Sequence, residues 1–135
     1  MINSLIPPSK CIVKPSPGKG LGVFATEFIK EGEVIEECHL LTIPNNSFLF
    51  IHDLFENYRF DYPQSISTPT QEQVLPLGFG CIYNHSDNNN AYWVDHPTEK
   101  LFQFIAAKDI FPGEEICTNY GDDDYWNHRS YNKIL

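Results

Sequence analysis

Short apolar runs alternate along the chain with clusters of Gly, Pro and Asn, a rhythm that predicts many short strands rather than long helices. Cys11-Ile12-Val13-Lys14 reads as a first strand, Pro15 to Gly22 as a glycine loop, and Val23-Phe24-Ala25-Thr26 as a second strand. The run Ile29-Lys30-Glu31-Gly32-Glu33-Val34-Ile35 returns as Ile110-Phe111-Pro112-Gly113-Glu114-Glu115-Ile116. Each copy is a Gly-centred turn feeding a strand, and two copies predict two similar strand entries in one small fold rather than a solenoid. Glu33 to Ile43 supplies one or two strands, ended by Pro44. From Phe48 to Tyr62 the residues Phe48, Ile51, Leu54, Phe55, Tyr58 and Tyr62 follow the helical period. That pattern predicts one main helix, about 48–62, capped by Ser47 and stopped by Pro63. Gln64 to Pro76 reads as a polar connection, Ala91 to Asp95 and Leu101 to Ala107 as a hairpin, and Ile116 to Tyr120 as a last strand.

Ten Pro and eight Gly among 135 residues strengthen the many-turn reading, and the length suits one domain with a single modest core. The formal charge of −9 removes duplex nucleic acid as a direct ligand, because phosphate contacts need a Lys/Arg surface. It favours a cationic partner, although an acidic balance also simply keeps a small protein in solution. Met1 to Lys10 lacks the basic start and apolar core of a secretory signal, and no segment approaches the roughly twenty apolar residues of a membrane span. A soluble, intracellular protein without membrane contact is expected. Cys11, Cys38, Cys81 and Cys117 show no C-x-x-C spacing, so no metal site is expected from them. Reduced, buried thiols are the expectation, with disulfides as the alternative.

Gly78 to Asn90 contains Asn84-His85-Ser86-Asp87-Asn88-Asn89-Asn90, whose amides and imidazole are costly to bury unless each donor and acceptor is paired. It is either a solvated loop or a polar knot that organises backbone around it. Two other clusters flank it in sequence, Gly20-Leu21-Gly22 before and Glu115-Ile116-Cys117-Thr118-Asn119-Tyr120-Gly121 after. The glycines match neither a Walker nor a Rossmann loop. They suit a plain hairpin turn or close approach of a ligand to bare backbone.

In this order and spacing the three clusters resemble the SET domain, the fold of protein lysine methyltransferases. The pattern is similar above all to small viral SET proteins, which share Leu-Gly-Phe-Gly before Asn-His-Ser and Tyr-Gly-Asp-Asp-Tyr-Trp near the end. Here these are Leu77 to Gly80 and Tyr120 to Trp126, with one extra Asp. The resemblance covers Val13 to Trp126 and implies a single SET domain over 1–135, with its core at about 13–121 and an aromatic tail at 122–135. It implies a mostly-β, β-clip fold of several short curved sheets with a pseudoknot near the C-terminus.

The resemblance further implies transfer of a methyl group from S-adenosyl-L-methionine to lysine side chains, leaving S-adenosyl-L-homocysteine. Lys19, Gly20, Leu21, Gly22, Tyr58, Asn84, His85, Tyr120 and Trp126 would bind the cofactor, and Tyr120 and Tyr58 would be the catalytic pair. Tyr83, Thr118 and Tyr120 would line the substrate channel, with no metal involved. His85 also suits a satisfied buried histidine, Tyr58 a core position, and Tyr83 packing where the family usually has an apolar residue. A free lysine titrates near ~10.4, so the channel must strip its proton and align its nitrogen. Thr118 stands where the family commonly has Phe or Tyr, which leaves the number of methyl groups open. No cysteine follows Cys117, so the zinc cluster found after many SET regions is absent from this sequence, and Tyr125, Trp126 and Tyr131 would cover the adenine or simply dock the tail. A basic protein such as a histone tail is the implied substrate, adding as a strand. A homodimer and a chromatin location in a eukaryotic host are implied with it. The alternative is a SET-like module that binds cofactor or peptide without turnover.

Overall fold

The computed structural model describes residues 5–43, 58–63 and 72–120. Its elements are β1 (Cys11–Ser16), β2 (Gly20–Ala25), β3 (Val34–Ile43), β4 (Phe60–Tyr62), β5 (Glu72–Pro76), β6 (Asn84–His85), β7 (Ala91–Asp95), β8 (Leu101–Ala106) and β9 (Glu115–Thr118). They form a four-stranded sheet of order β1-β2-β9-β6 and a five-stranded sheet of order β4-β5-β3-β8-β7. The mostly-β expectation holds.

The main helix predicted over 48–62 does not. Every regular element among the described residues is a strand, and Phe60–Tyr62, the end of that predicted helix, is β4, paired antiparallel to β5 with Phe60 opposite Val74. Phe60 and Tyr62 are two apart, which is the strand period, and both rings pack on Phe102 with centroids 5.7 and 6.2 Å away. Ser47 and residues 48–57 lie outside the described residues. The predicted polar connection also ends as strand β5, because Val74 is fully buried and β3 and β4 pair with its two edges. No helix among the described residues is long and apolar enough to cross a membrane.

Strand β3 is long enough to be shared. Its first half pairs with β8, from Val34 opposite Ile105 to His39 opposite Leu101, and its second half with β5. A β-bulge between Val34 and Glu36 interrupts the first pairing, and Ile35 and Glu36 are both buried beside it. The hairpin of β7 and β8 is closed by His96, whose Nδ1 accepts the amides of Thr98 and Glu99 at 3.2 and 3.1 Å.

The duplicated motif folds twice in the same way. Ile29 and Ile110 form an antiparallel bridge with reciprocal amide-to-carbonyl bonds of 2.8 Å, and both side chains are buried. In each copy a Gly takes positive φ, 87° at Gly32 and 90° at Gly113. In each copy the following Glu caps the turn, Glu33 accepting from the Lys30 amide at 3.2 Å and Glu114 from the Phe111 amide at 2.7 Å. The bridge lies in one apolar core with Val23, Ile116, Phe102, Phe104 and Tyr83, which holds the two sheets together.

Candidate functional site

Pro15 sits in edge strand β1, where its missing N–H leaves no ladder bond unmade. The strands therefore run farther into the glycine segment than predicted, and the turn shrinks to Pro17-Gly18-Lys19, closed by a 3.0 Å bond from the Lys19 amide to the Ser16 carbonyl. Gly20, Leu21 and Gly22 belong to β2. Gly22 is glycine because of the protein itself, since a Cβ there would lie 2.4 Å from Glu115 Oε2 and 3.0 Å from Ser16 Cβ. Gly20 has a φ of 80° and open space around its missing Cβ.

Asn84 and His85 run parallel to the end of β9, with Asn84 opposite Cys117 and His85 opposite Thr118. A two-residue strand makes few ladder bonds, so side chains supply the rest. Asn84 Nδ2 donates to the Leu21 carbonyl at 2.9 Å and to Glu115 Oε2 at 2.7 Å, joining β2, β6 and β9. Glu115 Oε1 accepts from Ser16 Oγ at 2.9 Å, which adds β1. Asn90 clamps β9 from the other end of the stretch, donating to the Glu115 carbonyl at 2.9 Å and accepting the Cys117 amide at 2.8 Å. The stretch is thus a polar knot at Asn84 and Asn90, while Asp87 and Asn88 remain exposed.

His85 holds Tyr120. Its Nδ1 accepts the Tyr120 amide at 2.9 Å, and its Nε2 lies 2.8 Å from Asp87 Oδ1, so both ring nitrogens are engaged. The Tyr120 ring lies 5.3 Å from it, and the Tyr120 hydroxyl donates to the Tyr83 carbonyl. Lys19 Nζ donates to the His85 carbonyl at 3.3 Å. Lys19, Gly20, Leu21, Gly22, Asn84, His85, Thr118 and Tyr120 are therefore brought together by β2, β6 and β9. Leu21 is 53% exposed and Thr118 fully buried.

Tyr83 enters this group through its carbonyl. Its side chain is 2% exposed, stacked on Phe104 at 4.7 Å, with its hydroxyl donated to Glu36 Oε1 at 2.5 Å. Tyr58 is 42% exposed, which removes it from the core, and its carbonyl accepts the Cys81 thiol at 3.8 Å, two residues before Tyr83. Trp126 lies outside the described residues. Glu115 was missed as a site residue; strand alternation, which sets it on the face opposite buried Ile116, is the signal that could have found it.

Burial pushes the Cys117 thiol up to about 11, reinforced by the Glu115 carboxylate and opposed by the Lys19 ammonium. The donor set fits the amino-acid end of S-adenosylmethionine. The Lys19 ammonium suits a carboxylate, the Leu21, Tyr83 and His85 carbonyls suit an ammonium or a polarised methyl group, and the backbone at Gly20 is open to approach.

A model of the SET domain matches residues 20–121 of the chain. Among similar proteins, a histone-lysine N-methyltransferase of Schizosaccharomyces pombe, H3 lysine-37 specific, is 26% identical over 112 residues, covering 82% of this chain and 72% of that protein. N-lysine methyltransferase KMT5A-A of Danio rerio is 32% identical over 78% of this chain and 33% of its own length. Histone-lysine N-methyltransferase set9 of Aspergillus fumigatus is 33% identical over 75% of this chain, which spans only 16% of it. Among solved structures, a candidate histone methyltransferase of Plasmodium falciparum superposes with a TM-score of 0.69 and 31% identity, over 84% of this chain and 95% of that one. These relatives are fungal, fish and Plasmodium proteins, and they support the SET-domain resemblance without its specifically viral part.

Proposed function

The chain belongs to the SET-domain family, and from that premise we propose that it methylates lysine side chains of a basic protein, a histone tail being the leading candidate. The observation that carries the proposal is the meeting of Lys19, Asn84, His85 and Tyr120 at the junction of β2, β6 and β9. S-adenosylmethionine, the family's usual cofactor, would when bound supply a methyl group on a positively charged sulfur.

The chain's own residues would do the following. Lys19 and the open backbone of Gly20 and Leu21 hold the carboxylate end of the cofactor, and Asn84 fixes that backbone through the Leu21 carbonyl. The Tyr120 hydroxyl spends its proton on the Tyr83 carbonyl, which leaves its oxygen as an acceptor that orients the incoming lysine nitrogen. With both ring nitrogens of His85 engaged, no general base is assigned. The lysine instead loses its proton to water on entry, because desolvation and the adjacent positive charge both lower its pKa. Tyr58 and Thr118 would border the lysine channel in this reading, and the resemblance assigns the adenine to Trp126.

Incubation with tritiated S-adenosylmethionine and core histones tests the proposal. Label should enter protein, and Tyr120→Phe should cut the rate about tenfold or more. Cofactor binding by calorimetry without any labelling from pH 7 to about 9.5 would instead establish a binding module without turnover. A homodimer is part of the proposal, and light scattering decides it. A nuclear, chromatin-bound location follows from a histone substrate.

A further inference from the structure

Glu36 is the one carboxylate among the buried described residues, 1% exposed on the core face of β3. Its surroundings are Cys38, Cys11, Phe104 and the ring of Tyr83, and a carboxylate in such company is retained only where specific donors hold it. Such donors are present. The Cys38 thiol bonds the carboxylate, the Tyr83 hydroxyl donates to Oε1 at 2.5 Å and the Phe79 amide to Oε2 at 3.3 Å. These last two come from the segment that leads into β6. At Gly78, with φ 72°, a Cβ would lie 2.7 Å from Glu36 Oε2, and at Gly80 one would lie 2.6 Å from Pro76 Cβ. The segment is closed down on the carboxylate with no room between them.

From these contacts we infer that Glu36 is a positioning residue for the Tyr120 hydroxyl, acting through Tyr83. The chain of contacts is short. Glu36 and Phe104 fix the Tyr83 side chain at its hydroxyl and its ring face. A side chain held at both places leaves its own backbone little freedom, and the Tyr83 carbonyl is the group that receives the Tyr120 hydroxyl proton. Loss of the Glu36 bond would let that carbonyl turn, and the Tyr120 oxygen would turn with it. The tie also accounts for a phenol directly before Asn84 in a place where a plain apolar side chain would pack equally well. Glu36 touches no reacting atom, so its effect is on orientation and not on cofactor or substrate affinity.

The kinetic half of this inference rests on the methyl-transfer reading, so the experiment has a readout that does not. In the full chain labelled with 13Cζ-tyrosine, the Tyr120 resonance, assigned with Tyr120→Phe, reports the hydrogen bond of its hydroxyl. Tyr83→Phe, which removes one oxygen, should move that resonance beyond its linewidth and lower kcat about tenfold, with KM for cofactor and peptide within about twofold. Glu36→Gln keeps an acceptor for the Tyr83 hydroxyl but turns an NH2 group toward the Phe79 amide, so its Tyr120 resonance should lie nearer to wild type than that of Tyr83→Phe. The double variant Glu36→Gln/Tyr83→Phe buries no charge and should reproduce Tyr83→Phe, which decides the matter if the single variant fails to fold. A folded Tyr83→Phe or double variant with wild-type Tyr120 resonance overturns the inference. If the wild-type chain transfers no methyl group, the functional reading fails and the resonance alone still decides the positioning claim.

Discussion

Two residues of the Asn-rich stretch differ sharply in what they hold. Asn90 satisfies two backbone groups of β9, so Asn90→Ala should cost about 2 kcal/mol in urea unfolding. Asp87 is 96% exposed on its side chain, and Asp87→Ala should stay within about 0.5 kcal/mol. Glu36 adds a pH dependence whose sign is fixed by its surroundings. Burial raises its carboxyl pKa, against the opposing bonds from Tyr83, Phe79 and Cys38. A folded-state pKa above the unfolded value means its contribution is full while the group is protonated and is lost as pH rises through the raised value. Glu36→Gln, uncharged throughout, should therefore gain stability relative to wild type as pH rises above the ordinary carboxylate range. A pH-independent difference would show that the carboxyl is not desolvated.

At the level of elements, the paired turns invite two substitutions. Ile110→Ala empties the buried bridge to Ile29 and should cost about 2–5 kcal/mol. Gly113→Ala meets no atom within 4 Å, so its cost of about 1 kcal/mol or more comes from the φ of 90° alone, and differential scanning calorimetry separates the two magnitudes. These turns were legible in the sequence, because a repeated Gly-Glu before an apolar strand has only a few turn geometries open to it. The β7–β8 hairpin was legible to within one residue for the same reason. Phe60–Tyr62 was not, because aromatics at 58, 60 and 62 satisfy the strand period while 55, 58 and 62 satisfy the helical one, and only pairing with Glu72–Pro76 decides. The glycine segment and the Tyr-bearing strand end pointed to the site through their order along the chain. The Glu36–Tyr83 tie could not be read there, since a bulge shifts which β3 residues face the core and leaves no mark in the alternation.

Across the whole molecule, burial governs the thiols and charge governs encounter. All four cysteines are free, and burial pushes Cys11 up to about 12 and Cys81 and Cys117 up to about 11, with Cys38 higher still. Native protein at pH 8 should therefore react with a disulfide reagent roughly a hundredfold more slowly than unfolded chain, which then titrates all of its thiols. The charge of −9 should make KM for a basic peptide rise with added salt while kcat stays level, and an unchanged KM would remove charge from recognition. The sheet order has a consequence for synthesis. Strand β9 is the last described strand to leave the ribosome, yet it lies inside its sheet, between β2 and β6. Until it emerges, β6 lacks the one strand partner it has among the described residues, and Asn84 lacks Glu115. The contacts that join the two halves, Asn84 to Glu115 and Asn90 to the backbone of β9, therefore form together once β9 has been made.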